Sequence, residues 1–258
     1  MKTWLKYSLV ATTAALLCAG SVFLHRSYKE NKSHAVCNGV SVHINGDCQF
    51  VTENDVRQYI SGVCGNVKGQ KLDSIRLFRI EEILDSKSAV LKSQVWYTDD
   101  GTLQIEVEQR KPAARFVKEG GGFYVDDRGC IFPLHSSYTA DVPVVSGAIP
   151  VRVSPGYKGK APVAEEQKWI EDMLSLLDYM DRNRKWRNRF TTIRVASNGD
   201  IVMHSDGSKE KIIFGRPDGF EAKFSRIEDY YSRIAPAWED GYYSTVNVKY
   251  DGQISCRK

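Results

Sequence analysis

The chain has 258 residues, of which 42% are hydrophobic, 26% charged and 11% aromatic. This balance excludes an intrinsically disordered chain, and a mean hydropathy of −0.39 excludes a protein with many membrane spans. The net charge of +4 is small, whereas a strongly basic nucleic-acid binder would concentrate a larger charge on one face. The length is typical of one or two domains.

An apolar segment near the N-terminus differs from the rest of the chain. Residues 7–24 carry no charge, and as a helix they would span about 27 Å, enough for a thin bilayer core. We predict a transmembrane helix there, after a cytoplasmic tail of residues 1–6 and before a polar linker at 25–36. A cleaved signal peptide beginning with Lys2 and Lys6 is the alternative. Either segment would export the bulk of the chain.

Residues 37–112 have the pattern of a β-α-α-β-β module. Three glycines, Gly62, Gly65 and Gly69, indicate a loop between the two helices. Pro112 is predicted to end the module, because proline cannot donate to a strand ladder. The predicted elements are a strand at 40–44, a helix from the N-cap Thr52 to Ser61, a helix at 72–84, and strands at 90–97 and 103–108 around the turn Asp99-Asp100-Gly101.

Residues 113–258 are predicted to form a mostly antiparallel β domain with a few helices, so the fold class is α+β. Turn signals at Asp127-Arg128-Gly129, Asn198-Gly199 and Asp251-Gly252 separate short apolar strands. Helical spacing predicts helices at 165–181 and 219–234, and residues 150–162 are predicted to be a loop. The last predicted strands are a long one at 242–250 and a short one at 254–257.

Motifs for catalysis or metal binding are lacking. The five histidines have no metal-ligand spacing, and the chain contains no nucleophile elbow, phosphate-binding loop or dinucleotide fingerprint. The five cysteines outside the apolar segment form no Cys-x-x-Cys pair. Cys37 is either paired with Cys48 or Cys64, or a small buried hydrophobe. We predict a protein that is not an enzyme, with no catalytic residues, metal, cofactor or small-molecule substrate.

Residues 182–189 contain five basic residues and Trp186. Nucleic acid or anionic lipid is one possible partner for such a run. The preceding helix at 165–181 has six acidic residues and one lysine, which oppose the charge of the run, and cations at a helix C-terminus also complement its dipole. We therefore favour a structural or docking surface and predict no nucleic-acid partner.

The predicted C-terminal hairpin would end the sheet at an edge. Unpaired backbone groups on such an edge recruit a partner strand unless they are blunted. Arg257 and Lys258 are charges of the kind that blunt an edge. Partner recruitment and blunting therefore remain alternatives.

Several ordered motifs resemble the bacterial cell-division protein family FtsQ, called DivIB in Gram-positive species. The loop at 152–163 and the basic run at 182–189 are departures from this resemblance. The motifs that carry it are Leu103-x-Ile105-x-Val107-Glu108-x-Arg110-x-Pro112-x-Ala114, Phe123-Tyr124-Val125-Asp126-x-x-Gly129, Tyr138-x-x-x-Val142-Pro143-Val144-Val145-x-Gly147, Lys223-Phe224, Tyr230-Tyr231, and Tyr243-x-x-Val246-x-Val248-x-Tyr250-x-x-Gln253-Ile254.

The resemblance implies a POTRA-type module at 37–112 and an FtsQ-type β domain at 113–258. It further implies a non-catalytic, single-pass scaffold of the inner (plasma) membrane, with its bulk on the periplasmic side at the division septum. Such a scaffold links early and late cell-division proteins and supports septum formation. Other divisome components are expected to contact the POTRA-type module.

The expected partner at the C-terminal hairpin is an FtsB/FtsL-type protein that adds a β-strand. The alternatives are a POTRA-containing envelope biogenesis or secretion component and, less favoured, a secreted enzyme released by signal cleavage. The partner-binding residues that the resemblance implies are Tyr242, Tyr243, Val246, Val248, Tyr250, Asp251, Gly252, Gln253 and Ile254.

Overall fold

The structure is a computed structural model that describes residues 20–21, 35–239 and 241–258. The predicted tail at 1–6 lies outside these residues, as do nearly all of the predicted membrane helix at 7–24 and of the linker at 25–36. Within the described residues, no helix combines the length and the apolar character needed to cross a membrane.

The chain divides into two compact units. The first unit contains the described part of 1–47 together with residues 51–109, and the second contains residues 48–50 and 110–258. Both mix helices with strands, which confirms the predicted α+β class for the described residues.

The first unit has the predicted β-α-α-β-β order. Strand β1 lies parallel to β3, and β3 forms an antiparallel hairpin with β2, giving the sheet order β1-β3-β2. Alternate residues of β3, namely Leu103, Ile105 and Val107, are buried, as its polar–apolar alternation predicts. The elements are β1 (Gly39–Asn45), α1 (Glu53–Cys64), a 3₁₀ turn (Leu72–Ser74), α2 (Leu77–Ser86), β2 (Val90–Tyr97) and β3 (Thr102–Gln109).

The helices of the first unit differ from the prediction at two ends. Thr52 is the N-cap of α1 as predicted, but α1 continues through Gly62 and stops only before Gly65, at φ +66°. The second helix begins at Leu77 instead of Leu72, because Ile75 is extended. A continuous helix would turn Ile75 away from the stripe that contains Ile80 and Leu84. The break instead lets Ile75 be buried.

The second unit contains a nine-stranded sheet in the order β12-β11-β10-β9-β8-β7-β4-β5-β6. The pairs β4/β7, β7/β8 and β10/β11 are parallel and the other five are antiparallel. The elements are β4 (Pro112–Lys118), β5 (Gly121–Asp126), β6 (Ile131–Pro133), β7 (Val144–Gly147), α3 (Ala164–Arg182), β8 (Phe190–Val195), β9 (Ile201–Ser205), β10 (Lys211–Gly215), α4 (Phe220–Asp229), a π-helical segment (Tyr230–Ile234), a 3₁₀ turn (Ala235–Ala237), β11 (Thr245–Asn247) and β12 (Ser255–Arg257).

The strands of this unit differ from the prediction at three points. Pro112 does not end a module but is the first residue of β4, a position where proline is tolerated. The residues from Val144 onward form strand β7. No strand was predicted there from the turn and alternation signals. The long strand predicted at 242–250 is reduced to the three residues of β11.

The core of the second unit lies between α3, α4 and one face of the sheet. Ile170, Met173 and Leu177 form the buried stripe of α3, as the helical spacing predicts. They belong to one cluster with alternate strand residues such as Phe116 and Met203.

A buried ion pair fixes the start of β4 relative to β5. The Nη1 atom of Arg110 lies 2.6 Å from Oδ2 of Asp126, with side chains only 10% and 3% exposed. The other carboxylate oxygen of Asp126 accepts hydrogen bonds from the backbone N–H groups of Arg128 at 3.0 Å and Cys130 at 2.8 Å. Two of the motifs quoted above therefore meet in one contact, which also shapes the β5–β6 turn.

We predict that the substitution Asp126→Asn lowers the free energy of unfolding of the second unit by about 3–5 kcal/mol, because it leaves the Arg110 charge buried and unpaired. The double variant Arg110→Met/Asp126→Asn should recover most of this loss. Urea unfolding of the wild type, both single variants and the double variant measures the coupling. Strictly additive losses would contradict the pairing.

Candidate partner-binding edge

The C-terminal hairpin lies at one end of the nine-stranded sheet. Strand β12 is antiparallel to β11, and β11 lies parallel to β10. Among the strands that the structure describes, none pairs with the outer side of β12. The hairpin therefore ends the sheet at an edge, as the sequence predicts.

Two hydrogen bonds define how β11 is oriented. Lys211 N–H donates to Ser244 O at 3.1 Å, and Val248 N–H donates to Ile213 O at 3.0 Å. Alternate residues of a parallel strand direct their backbone groups to the same neighbouring strand. Val246 lies midway between Ser244 and Val248, so its N–H and C=O groups also point toward β10. The backbone groups of Thr245 and Asn247 therefore face β12.

The register of the hairpin then identifies the backbone groups that lie on the open edge. Thr245 is opposite Arg257 and Asn247 is opposite Ser255, and these are the hydrogen-bonded pairs. Cys256 lies between Ser255 and Arg257, so its N–H and C=O point away from β11. These two groups are available to an added strand.

The opposite edge of the sheet is covered. Ile131 of β6 donates its N–H to Gly159 O at 2.8 Å and accepts a hydrogen bond from Gly159 N–H at 3.0 Å. Pro133 ends β6 and has no N–H to offer. The loop at 152–163, which departs from the family resemblance, thus blunts this edge.

The turn of the hairpin is held by two cationic side chains. Nε of Arg226 on α4 donates to Val248 O at 3.0 Å. Nζ of Lys249 lies 2.9 Å from Oδ2 of Asp200, and this interaction raises the pKa of Lys249. A Cβ on Gly215 would lie 2.7 Å from Cβ of Lys249, so glycine is required where the lysine crosses β10. These contacts tie the hairpin to α4 and to the neighbouring strands without any partner.

The nine residues predicted to bind a partner occupy different environments. Val246 and Val248 are fully buried in the core, so their side chains support the strand and are not on the surface. Ile254 and Tyr243 are partly buried against the same core. The exposed members are Tyr250, Asp251, Gly252 and Gln253, and Gly252 supplies the φ of +69° that the turn requires.

Aromatic side chains form a cluster beside the hairpin. The ring of Tyr242 stacks on Trp238 with centroids 4.2 Å apart and meets Tyr243 edge-on at 4.9 Å. Trp238 is nearly half exposed and was not among the residues predicted to bind a partner. Cys256 was not predicted either, because the outward direction of its backbone groups depends on the hydrogen-bond register.

Ion pairs within the unit account for much of the basic run at 182–189. Arg182 pairs with Asp178 at 2.8 Å, and Lys185 pairs with Glu228 of α4. Trp186 is buried and its ring lies 4.8 Å from that of Phe224. These contacts support the structural interpretation of the run.

Thiol and metal chemistry are not assembled at the hairpin. None of the five cysteines in the described part of the chain forms a disulfide, and Cys37 is buried with its thiol 3.3 Å from Gly39 O. Among the described residues, no group of three or more His, Cys, Asp or Glu side chains is arranged to hold a metal ion.

Comparison with known families agrees with the motifs. A family described as FtsQ/DivIB, C-terminal related, matches residues 111–257, and a POTRA-like domain family matches residues 35–108. The first match alone covers more than half of the chain, and the chain belongs to the FtsQ/DivIB family. This family consists of non-catalytic cell-division scaffolds. No individual curated protein matches the chain.

We predict that Val248→Pro destabilises the second unit by about 3 kcal/mol or more, because it removes the hydrogen bond to Ile213 and disturbs a buried position. Tyr250→Asp should change the free energy of unfolding by less than about 0.5 kcal/mol, since Tyr250 is half exposed. Urea unfolding of both variants tests this. Equal stabilities would show that Val248 is not the structural position described here.

Proposed function

We propose that this protein is a divisome scaffold of the bacterial inner membrane that binds an FtsB/FtsL-type partner by β-strand addition at β12. In this role it links early and late cell-division proteins and supports septum formation. Membership of the FtsQ/DivIB family supports the role in cell division. The open edge at β12 supports the mode of binding.

The observation that carries this proposal is the difference between the two edges of the sheet. A long sheet with two open edges would aggregate, and natural proteins normally blunt both. Here Gly159 covers the β6 edge, while the backbone of Cys256 stays open on an ordered hairpin. An edge kept open and ordered is the arrangement that strand addition requires.

Side chains next to this edge would give the added strand its specificity. Ser255 and Arg257 are exposed on β12, and Tyr250 and Gln253 are exposed on the turn before it. Main-chain hydrogen bonds give affinity in strand addition, and side-chain contacts select the sequence that binds. We assign these four residues, with Asp251 and Gly252, to the partner contact.

The apolar N-terminal segment and membership of the family support the proposed location. The uncharged segment at 7–24 would act as a single membrane helix, with the two units on the periplasmic side at the septum. The POTRA-like domain at 35–108 would contact other divisome components there.

A proline at Cys256 tests the proposal directly. Cys256→Pro removes the outward N–H but leaves the hydrogen bonds of Ser255 and Arg257 to β11 intact, and proline is tolerated on edge strands. We expect the affinity for the FtsB/FtsL-type partner to fall at least tenfold, or by about 1.4 kcal/mol. Titration of the full chain with the partner complex gives the affinity.

Cys256→Val is the matched control, because it keeps the N–H and a similarly sized apolar side chain. Its affinity should equal that of the wild type, and thermal unfolding should show both variants folded. Normal binding by a folded Cys256→Pro variant would refute strand addition at this edge.

A further inference from the structure

Glu210 differs from the other buried charged side chains of the second unit. Arg110 and Asp126 pair with each other, and Lys223 pairs with Asp218 at 2.9 Å. Glu210 is only 6% exposed, yet within the described residues it forms no ion pair. A carboxylate buried without a cation is costly, so Glu210 points to a missing cationic partner.

Glu210 lines a cavity of about 310 Å³ together with five aromatic residues and a second carboxylate, that of Glu239. The rings of Tyr230 and Tyr231 lie 5.1 Å apart on one side, and those of Trp238 and Tyr242 lie 4.2 Å apart on another. Tyr243 also lines the cavity. Aromatic faces around a carboxylate form an environment that attracts organic cations.

The helix that carries the two tyrosines is distorted at this point. Helix α4 continues as the π-helical segment Tyr230–Ile234, and such segments occur frequently at functional sites. Burial raises the pKa of Tyr231, and the nearby Glu210 charge raises it further. The buried Tyr231 hydroxyl lies beside Glu210, Ser208 and Arg189, whose side-chain hydrogen bonds also act on this pKa.

Two of the rings already attract cations from the chain itself. The guanidinium carbon of Arg189 lies 4.7 Å from the centroid of Tyr231, and Nζ of Lys258 lies 4.1 Å from that of Tyr242. Neither side chain is ion-paired with Glu210. The carboxylate charge thus remains available to a ligand.

We propose that this cavity binds a guanidinium or alkylammonium group, with Glu210 as its counter-ion and the aromatic rings as its walls. The cavity has room for one such head group and its aliphatic stem. The group is either an arginine or lysine side chain of a peptide or a small free amine. The proposal does not depend on strand addition at β12.

Calorimetric titration of the full chain tests the site with three probes that share an n-butyl chain: n-butylguanidinium, n-butylammonium and the neutral n-butylurea. We expect both cations to bind at least tenfold more tightly than the urea. Two further probes then distinguish a peptide side chain from a small free amine: a tripeptide with a central arginine, and the polyamine spermidine. The probe that binds more tightly identifies the source.

Glu210→Gln keeps the shape of the side chain but removes its charge. We expect cation affinity to fall at least tenfold while the melting temperature of the free protein rises by about 2–4 °C, since an unpaired buried charge is removed. Glu221→Gln, at an exposed position of α4, is the control and should change neither value. The proposal is overturned if the wild type binds n-butylurea as tightly as the cations. It is also overturned if Glu210→Gln melts at a lower temperature with unchanged affinity.

Discussion

The second unit is organised by a constraint that every open sheet meets, namely that each edge leaves backbone groups without partners. The nine-stranded sheet meets this constraint differently at its two ends. At β6, Gly159 pairs with Ile131 and closes the edge. At β12, the register leaves the N–H and C=O of Cys256 facing outward, and Arg226 and Lys249 hold the hairpin in position. The proposed strand addition is the consequence of this difference.

The buried charges of the second unit also differ from one another: some are paired and stabilise the fold, and one is proposed to bind a ligand. Arg110 and Asp126 neutralise each other and fix the start of β4, while Lys223 is neutralised by Asp218. Arg110, Asp126 and Lys223 belong to the family motifs and serve the fold. Glu210 is similarly buried, but no cation among the described residues forms an ion pair with it. A cationic ligand would supply the charge that this carboxylate lacks.

Local patterns predicted the parts of this fold that depend on local interactions. The hairpin of 90–97 and 103–108 combines clear alternation with an Asp-Gly turn, and the capping box at Thr52 begins α1. The pattern failed at 242–250, because Tyr242 and Tyr243 alternate like strand residues but pack beside Trp238. Cys256 and Glu210 were not predictable, since the parallel crossover from β10 to β11 and the cavity beside it depend on contacts between distant residues.

The most direct measurement of the central claim is hydrogen exchange at the Cys256 amide of the full chain, resolved by NMR with and without the FtsB/FtsL-type partner. In the free chain this amide should exchange much faster than that of Val248, which donates to Ile213. Saturation with the partner should protect the Cys256 amide to about the same degree as the Val248 amide. A Cys256 amide that is already protected in the free chain, or that stays unprotected in the saturated complex, would contradict strand addition at β12.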